Sequence, residues 1–186
     1  MYKSSISTDI AINTNIILIN IFFFIIVINR IEGGSVEVVG FSTLIYFIIS
    51  AVVTIPIGIL MDKVKGYVDE RNILFFSTLG RGVLLIFFAY IKFVWQLYLL
   101  QFLLGIVRAS MLPAWRILFS KYADNDKEGL AWSTVDSITT IGMGLAAYLG
   151  SLIVEQVSYT FVFQVAGGLT LLGAFLQVLL KMFIKK

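Results

Sequence analysis

Cysteine and histidine are both missing from this sequence. Without thiols there are no disulfides and no thiolate nucleophile. Without imidazole, the commonest general base and the usual zinc and haem ligands are gone. No serine sits in a G-x-S-x-G elbow, so a hydrolase working inside a membrane is not expected either. The chain is therefore read as a non-enzyme that needs no cofactor and no metal. Charge is scarce as well: charged residues make up 13% of the chain, against about a quarter in a typical soluble domain. Proline occurs only at Pro56 and Pro113, each inside a long apolar run, where it is expected to bend a helix rather than end it.

What fills the chain instead is apolar surface. Of 186 residues 59% are hydrophobic, and the mean hydropathy is +0.96. Soluble packing cannot hide that much, so the lipid bilayer is the expected solvent. Six stretches approach the roughly 20 apolar residues that a span requires: 10–29, 37–61, 73–91, 97–120, 130–154 and 160–180. A membrane barrel would alternate over segments of about ten residues, and no stretch does. The expected fold is an all-α membrane protein, with residues 1–186 forming one six-helix transmembrane domain. The first apolar run is too long for a signal peptide and has no small-residue cleavage site after it. A net charge of +3, dispersed over short loops, argues against nucleic acid as a partner.

The basic residues orient the spans. Lys3, Lys63, Lys65, Arg71, Lys121, Lys127, Lys181, Lys185 and Lys186 fall on one side; Arg30 and Lys92, beside Glu32, Glu37 and Glu155, fall on the other. By the positive-inside rule both termini are expected in the cytoplasm, with the protein in the cytoplasmic (inner) membrane. A faint echo joins the ends of the second and fifth stretches, Gly58-Ile59-Leu60-Met61-Asp62 and Gly150-Ser151-Leu152-Ile153-Val154-Glu155. Two inverted three-helix repeats would produce it, and such repeats are common in transporters.

The second stretch ends in an unusual way. A helix that only had to stop at the interface would do so on lysine or arginine. Here Gly58 and Asp62 lie one turn apart, with Lys63 directly after the acid. Glycine lets another helix approach to backbone distance. The carboxylate can then bond a helix amino terminus or an arginine on that neighbour. A tie of this kind can hold in one conformation and release in another, which suits a gate.

Gly58-Ile59-Leu60-Met61-Asp62-Lys63 resembles the cytoplasmic loop motif of the major facilitator superfamily, G-x-x-x-D-[RK]-x-G-[RK]. The match departs from the pattern at Lys65 and Gly66, and Arg71 stands as a candidate for its basic end. The fifth stretch resembles that superfamily's G-x-x-x-G-P-x-x-G-G, reading Gly142, Ala146, Ala147, Gly150 and Ser151 at the same spacings, without the proline. These small residues are read as helix-packing positions. On the fourth stretch the family's R-x-x-x-G has become Gln101 to Gly105. The resemblance implies one half of a twelve-helix secondary transporter, with helices one, two, four and five around a midplane cavity.

Charged residues at depth are the candidate functional groups. Arg108 lies near the middle of the fourth stretch, where a guanidinium costs about 3 kcal/mol on insertion scales. Asn20 and Ser50 lie at comparable depth, so Asn20, Ser50 and Arg108 are read as a substrate cavity, with a structural polar cluster as the alternative. Tyr46, one turn before Ser50, is a weaker candidate for the lining. Arg81 is read as a packing or topology residue. Asp136 and Arg116 are each about 9 Å into their helices and level with one another. Either they form a structural ion pair or Asp136 couples a proton.

Six helices are half of what the resemblance implies. The expected working unit is therefore a parallel homodimer, or a complex with a second six-helix half, that moves a small polar or anionic solute by alternating access. The competing expectations are a non-transporting membrane assembly partner and a fragment of a twelve-helix transporter.

Overall fold

Long apolar runs broken by Gly-Gly and by short charged connections should fold as helices stacked back and forth, and they do. In a computed structural model, residues 23–63, 67–122, 128–156 and 158–183 are described. Helix α1 is described over residues 23–30. It is followed by α2 (Val36–Lys63), α3 (Tyr67–Phe88), α4 (Val94–Tyr122), α5 (Glu128–Gln156) and α6 (Tyr159–Phe183). By length and composition α2, α3, α4 and α6 each contain a segment able to cross a membrane. The fifth helix, expected as a span over 130–154, matches the fourth in length at 29 residues but is not among the four apolar enough to cross, because Asp136 and its serines and threonines lower its hydropathy. α2 and α4 run on through Pro56 and Pro113.

The helix starts have local causes. Ser35 Oγ accepts a bond from the Val38 amide at 3.2 Å, and Ser158 Oγ accepts one from Phe161 at 3.2 Å. These are N-caps that satisfy amides with no partner inside the helix. At α4 the Gln96 Oε1 reaches back to the amides of Lys92 and Phe93, at 2.9 and 3.2 Å. The α1–α2 connection turns on Gly33, whose φ of 81° favours glycine. A Cβ on the next residue, Gly34, would collide with the carbonyl oxygen of Val27. Within the helices, Thr43, Thr54, Thr78, Ser110 and Thr170 each bond a carbonyl one turn back. In an apolar medium this local bond keeps their hydroxyls satisfied.

α4 packs along both α2 and α3, and α3 packs along α6. One core lies at the end where α1 finishes. It joins Phe23, Ile26 and Val27 of α1 to Phe88 of α3, Leu97, Leu100 and Leu104 of α4, and Phe163 of α6. Phe88 and Phe163 stack there at 4.6 Å. At the opposite end Met61 of α2 and Leu74 of α3 meet Met111, Ala114 and Leu118 of α4. The Glu32 amide donates to the Lys92 carbonyl at 2.8 Å, so the first and third connections share one end.

Two crossings depend on glycine. A Cβ on Gly82 of α3 would lie 3.1 Å from the Gly167 carbonyl of α6, and one on Gly167 would lie 2.9 Å from the Gly82 carbonyl. Likewise a Cβ on Gly105 of α4 would lie 2.9 Å from the Tyr46 carbonyl of α2. Backbone-to-backbone approach of this kind is how helices gain dispersion energy in a solvent as apolar as themselves. Gly58, by contrast, has nothing within 4 Å of where its Cβ would be. The helix expected to approach it does not come from the described part of this chain.

Candidate functional site

A cavity of about 80 Å³ lies between α1, α2, α3 and α4. Thr43, Tyr46 and Phe47 come from α2; Arg81, Leu85 and Phe88 from α3; Gln101, Leu104, Val107 and Arg108 from α4; and Phe23 from α1. Gln101, Leu104 and Arg108 are spaced three and four residues apart, so one face of α4 supplies them. Arg81, Leu85 and Phe88 repeat the pattern on α3. The bulky carbon side chains make a wall, and the polar groups converge on its interior.

Arg108 is half-buried and held by α2. Its Nη1 donates to the Tyr46 hydroxyl at 3.3 Å, and its guanidinium carbon lies 5.5 Å from the ring centroids of both Tyr46 and Phe47. The two rings are themselves perpendicular neighbours, 5.1 Å apart. Cation–π contact of this kind is worth about 0.5–1 kcal/mol at exposed sites and about 2 when desolvated. That offsets much of the cost of placing the charge at mid-helix.

Arg81 is the residue whose reading changes. It is buried, at 7% exposure, and it shares the cavity with Arg108. Apolarity suggested a third span starting at residue 73, but α3 starts at Tyr67, because its charged first turns are helical too. Arg81 is therefore fourteen residues from the start of α3, and Arg108 is fourteen from the end of α4. Both are about 21 Å along at 1.5 Å per residue. These neighbouring helices run in opposite directions, so the two guanidinium groups are level. Gln101, at the position where the resemblance would have an arginine, is buried in the same cavity.

The other predicted residues fall elsewhere. Asn20 lies outside the described residues, as do Lys65 and Gly66 of the loop motif. Ser50 is buried but lies outside the cavity lining; its carbonyl accepts the Thr54 hydroxyl at 2.6 Å. Arg116 and Asp136 are both exposed, and no ion pair joins them among the described residues. Ala146 and Gly150 are buried on α5, with Gly142 and Ala147 half-buried. Asp62 and Lys63 are exposed at the end of α2.

Two exposed helix faces stand out. On α2, Gly40, Phe47, Ala51, Gly58 and Asp62 follow at intervals of seven and four residues, which places them on one face. All are exposed except half-buried Gly58. No atom comes within 4 Å of a Cβ placed at Gly40 or Gly58. Phe47 is also a wall of the cavity.

On α5 the packed face carries Ala131, Val135, Thr139 and Ala146. Trp132 anchors it to α4, 5.5 Å from Trp115 and 4.4 Å from Phe119. One exposed stripe is apolar, with Ile141, Leu145 and Tyr148. The other is polar: Ser133, Asp136, Ser137, Thr140 and Gly144, all exposed. Lipid suits the first stripe. It does not suit the second, because a carboxylate in hydrocarbon requires a partner or water.

Comparison with known proteins places this architecture. The family model described as Major Facilitator Superfamily matches residues 10–185. "Uncharacterized MFS-type transporter YitZ" of Bacillus subtilis (strain 168) is 24% identical over 156 residues, covering 84% of this chain and 92% of that protein. "Multidrug resistance protein MdtG" of Salmonella arizonae is 26% identical over 142 residues, and that of Salmonella schwarzengrund is 30% identical over 127. These alignments cover 76% and 68% of this chain but only 35% and 30% of the MdtG proteins. The chain thus spans about a third of the MdtG relatives and nearly all of YitZ.

Proposed function

The chain belongs to the Major Facilitator Superfamily, and from that premise we propose that it is a secondary transporter of a small polar or anionic solute, working by alternating access as a parallel homodimer of six-helix halves. The observation that carries the reading is the open, partly polar surface of α2 and α5. Gly40 and Gly58 are uncovered, and Ser133, Asp136, Ser137 and Thr140 are exposed along α5. A second six-helix half would cover it and enclose water between the two. A homodimer requires one interface to serve both copies through a two-fold axis, and copies inserted by the same charge bias are parallel.

The parts then take roles. The cavity around Arg108 receives the solute near the midplane, and Asn20, outside the described residues, is proposed for the same cavity. Ser50 is a neighbour behind Tyr46 rather than a wall. Asp62, at the exposed end of α2, bonds the facing half in one state and releases it in the other, with Gly58 permitting the approach and Lys63 holding the end at the interface. Asp136, on the polar stripe, carries the coupled proton. Both termini face the cytoplasm, the membrane is the inner one, and the bundle is built from two inverted three-helix repeats. The match to YitZ, over 92% of its length, supports the half-size variant. The MdtG matches support the variant in which the second half lies in the same longer chain.

The test is flux into proteoliposomes, with particle mass measured in nanodiscs. Two copies per particle and a solute flux that depends on a pH gradient are expected. Asp136→Asn should abolish the gradient dependence, and Asp62→Asn should slow exchange while leaving binding intact. A strictly monomeric particle with full flux overturns the homodimer reading. Unchanged gradient dependence in Asp136→Asn removes that residue's role.

A further inference from the structure

We infer that the solute site is an oxyanion clamp in which Arg81 of α3 and Arg108 of α4 together bind the head of a small carboxylate or phosphate, with Gln101 and Tyr46 as neutral hydrogen-bonding neighbours. The inference rests on the transport reading above and adds to it the class of substrate and a binding residue, Arg81.

The argument begins with charge. Two guanidinium groups share one cavity of about 80 Å³, and among the described residues no carboxylate lines it. The sequence makes that shortage general. No acid occurs in residues 10–31, between Glu37 and Asp62, or between Glu70 and Asp124. The segments that build the cavity thus contain no acid at its depth. Arginine stays charged in proteins. Each of these residues therefore bears the cost of leaving water, and each repels the other in a medium that screens poorly. Removing one partner of a buried pair is costly; burying two cations without an anion is the same problem doubled. An anion from outside relieves both.

The geometry suits an oxyanion better than a structural role does. Arg108 is steadied by two aromatic rings and one bond to the Tyr46 hydroxyl, which leaves most of its fork of N–H groups free for a ligand. Guanidinium forks match the two oxygens of a carboxylate or phosphate. The groups arrive from two different helices, so an anion bridging them also joins α3 to α4. Around the head, Phe23, Phe47, Phe88 and Leu104 leave an apolar lining for a short carbon body.

The decisive experiment is equilibrium binding to the purified full chain in nanodiscs, by calorimetry at matched ionic strength. The probes are succinate, inorganic phosphate, the cation ethidium and neutral glucose. Saturable binding of succinate or phosphate is expected, with none of ethidium or glucose; which oxyanion binds tighter assigns the head group. Arg81→Gln and Arg108→Gln should each weaken that binding about tenfold or more, the usual scale for a charge-assisted bond.

If a glutamine variant does not fold, Arg81→Lys and Arg108→Lys decide instead. They keep the charge but lose the fork, and binding should fall by a few-fold. The inference is overturned if no oxyanion binds, if ethidium or glucose binds in its place, or if the Arg81 variants bind like wild type. Oxyanion binding without any flux sustains this inference and removes the transport reading. Flux of a neutral or cationic solute without oxyanion binding does the reverse.

Discussion

The α3–α6 crossing and the outer face of α2 both use glycine, and they use it for opposite ends. At the crossing, Gly82 and Gly167 face each other so closely that neither tolerates a methyl group without a shift. On α2, Gly40 and Gly58 face nothing at all, and on α5 Gly144 likewise. The first pair completes a scaffold within one chain. The second set lies on a surface open in the single chain, which the proposed second half would cover. Small residues in membrane helices mark close approach, but only the position of the backbone tells whether that approach has already happened.

Four substitutions sharpen this contrast, in falling order of effect. Gly167→Leu would put a Cβ 2.6 Å from Ile86 Cγ1 and 2.9 Å from the Gly82 carbonyl. Overpacking against backbone should cost about 3 kcal/mol or more, seen as loss of the folded peak in detergent chromatography. Survival of the fold with an unchanged melting temperature would show that α3 and α6 are not locked together. Gly105→Ala meets the Tyr46 carbonyl at 2.9 Å and Ile49 Cβ at 3.1 Å. It should cost about 1–3 kcal/mol in thermal melting, and it should also weaken oxyanion binding, because Tyr46 holds Arg108.

Gly58→Leu should leave the melting temperature of the single copy unchanged. Association of two copies should weaken about tenfold, or about 1.4 kcal/mol, in single-particle mass measurements. Equal dimer fractions would return Gly58 to the status of an ordinary helix position. Gly144→Ala should be the mildest. With open space around it, the substitution should raise stability by at most about 1 kcal/mol through helix propensity, measured by denaturant titration. A loss comparable to that of Gly105→Ala would mean that α5 packs more tightly than its exposed stripe indicates.

Two residues of the cavity lining, Arg108 and Tyr46, were legible from composition and spacing, and the rest of the lining was not, for specific causes. Arg108 stood out because a charge at the centre of an apolar run needs something to solvate it, whatever surrounds it. Tyr46 followed from one-turn spacing. Arg81 lies deeper along its helix than apolarity suggested, because apolarity marks where lipid begins, whereas α3 starts earlier, at Tyr67, in residues too charged to register as membrane. Ser50 has the right depth but lies outside the lining, one turn along from Tyr46. Arg116 and Asp136, expected to be level, are six residues from the end of α4 and eight from the start of α5 and are both exposed; residues on two helices pair only if both face the shared seam. Depth is a one-dimensional property and can be counted along a chain. Facing is not.

Lipid, apolar content and the placement of basic residues settle that this chain is a set of membrane helices and roughly where each begins. Those properties are local, because every backbone bond of a helix in hydrocarbon is made within the helix itself. Which glycines close on a neighbour, which face of α5 meets solvent, and that two arginines from separate helices share one cavity without an acid are decided by how the helices rotate and cross. Rotation depends on all the neighbours at once, and no single stretch of sequence contains it.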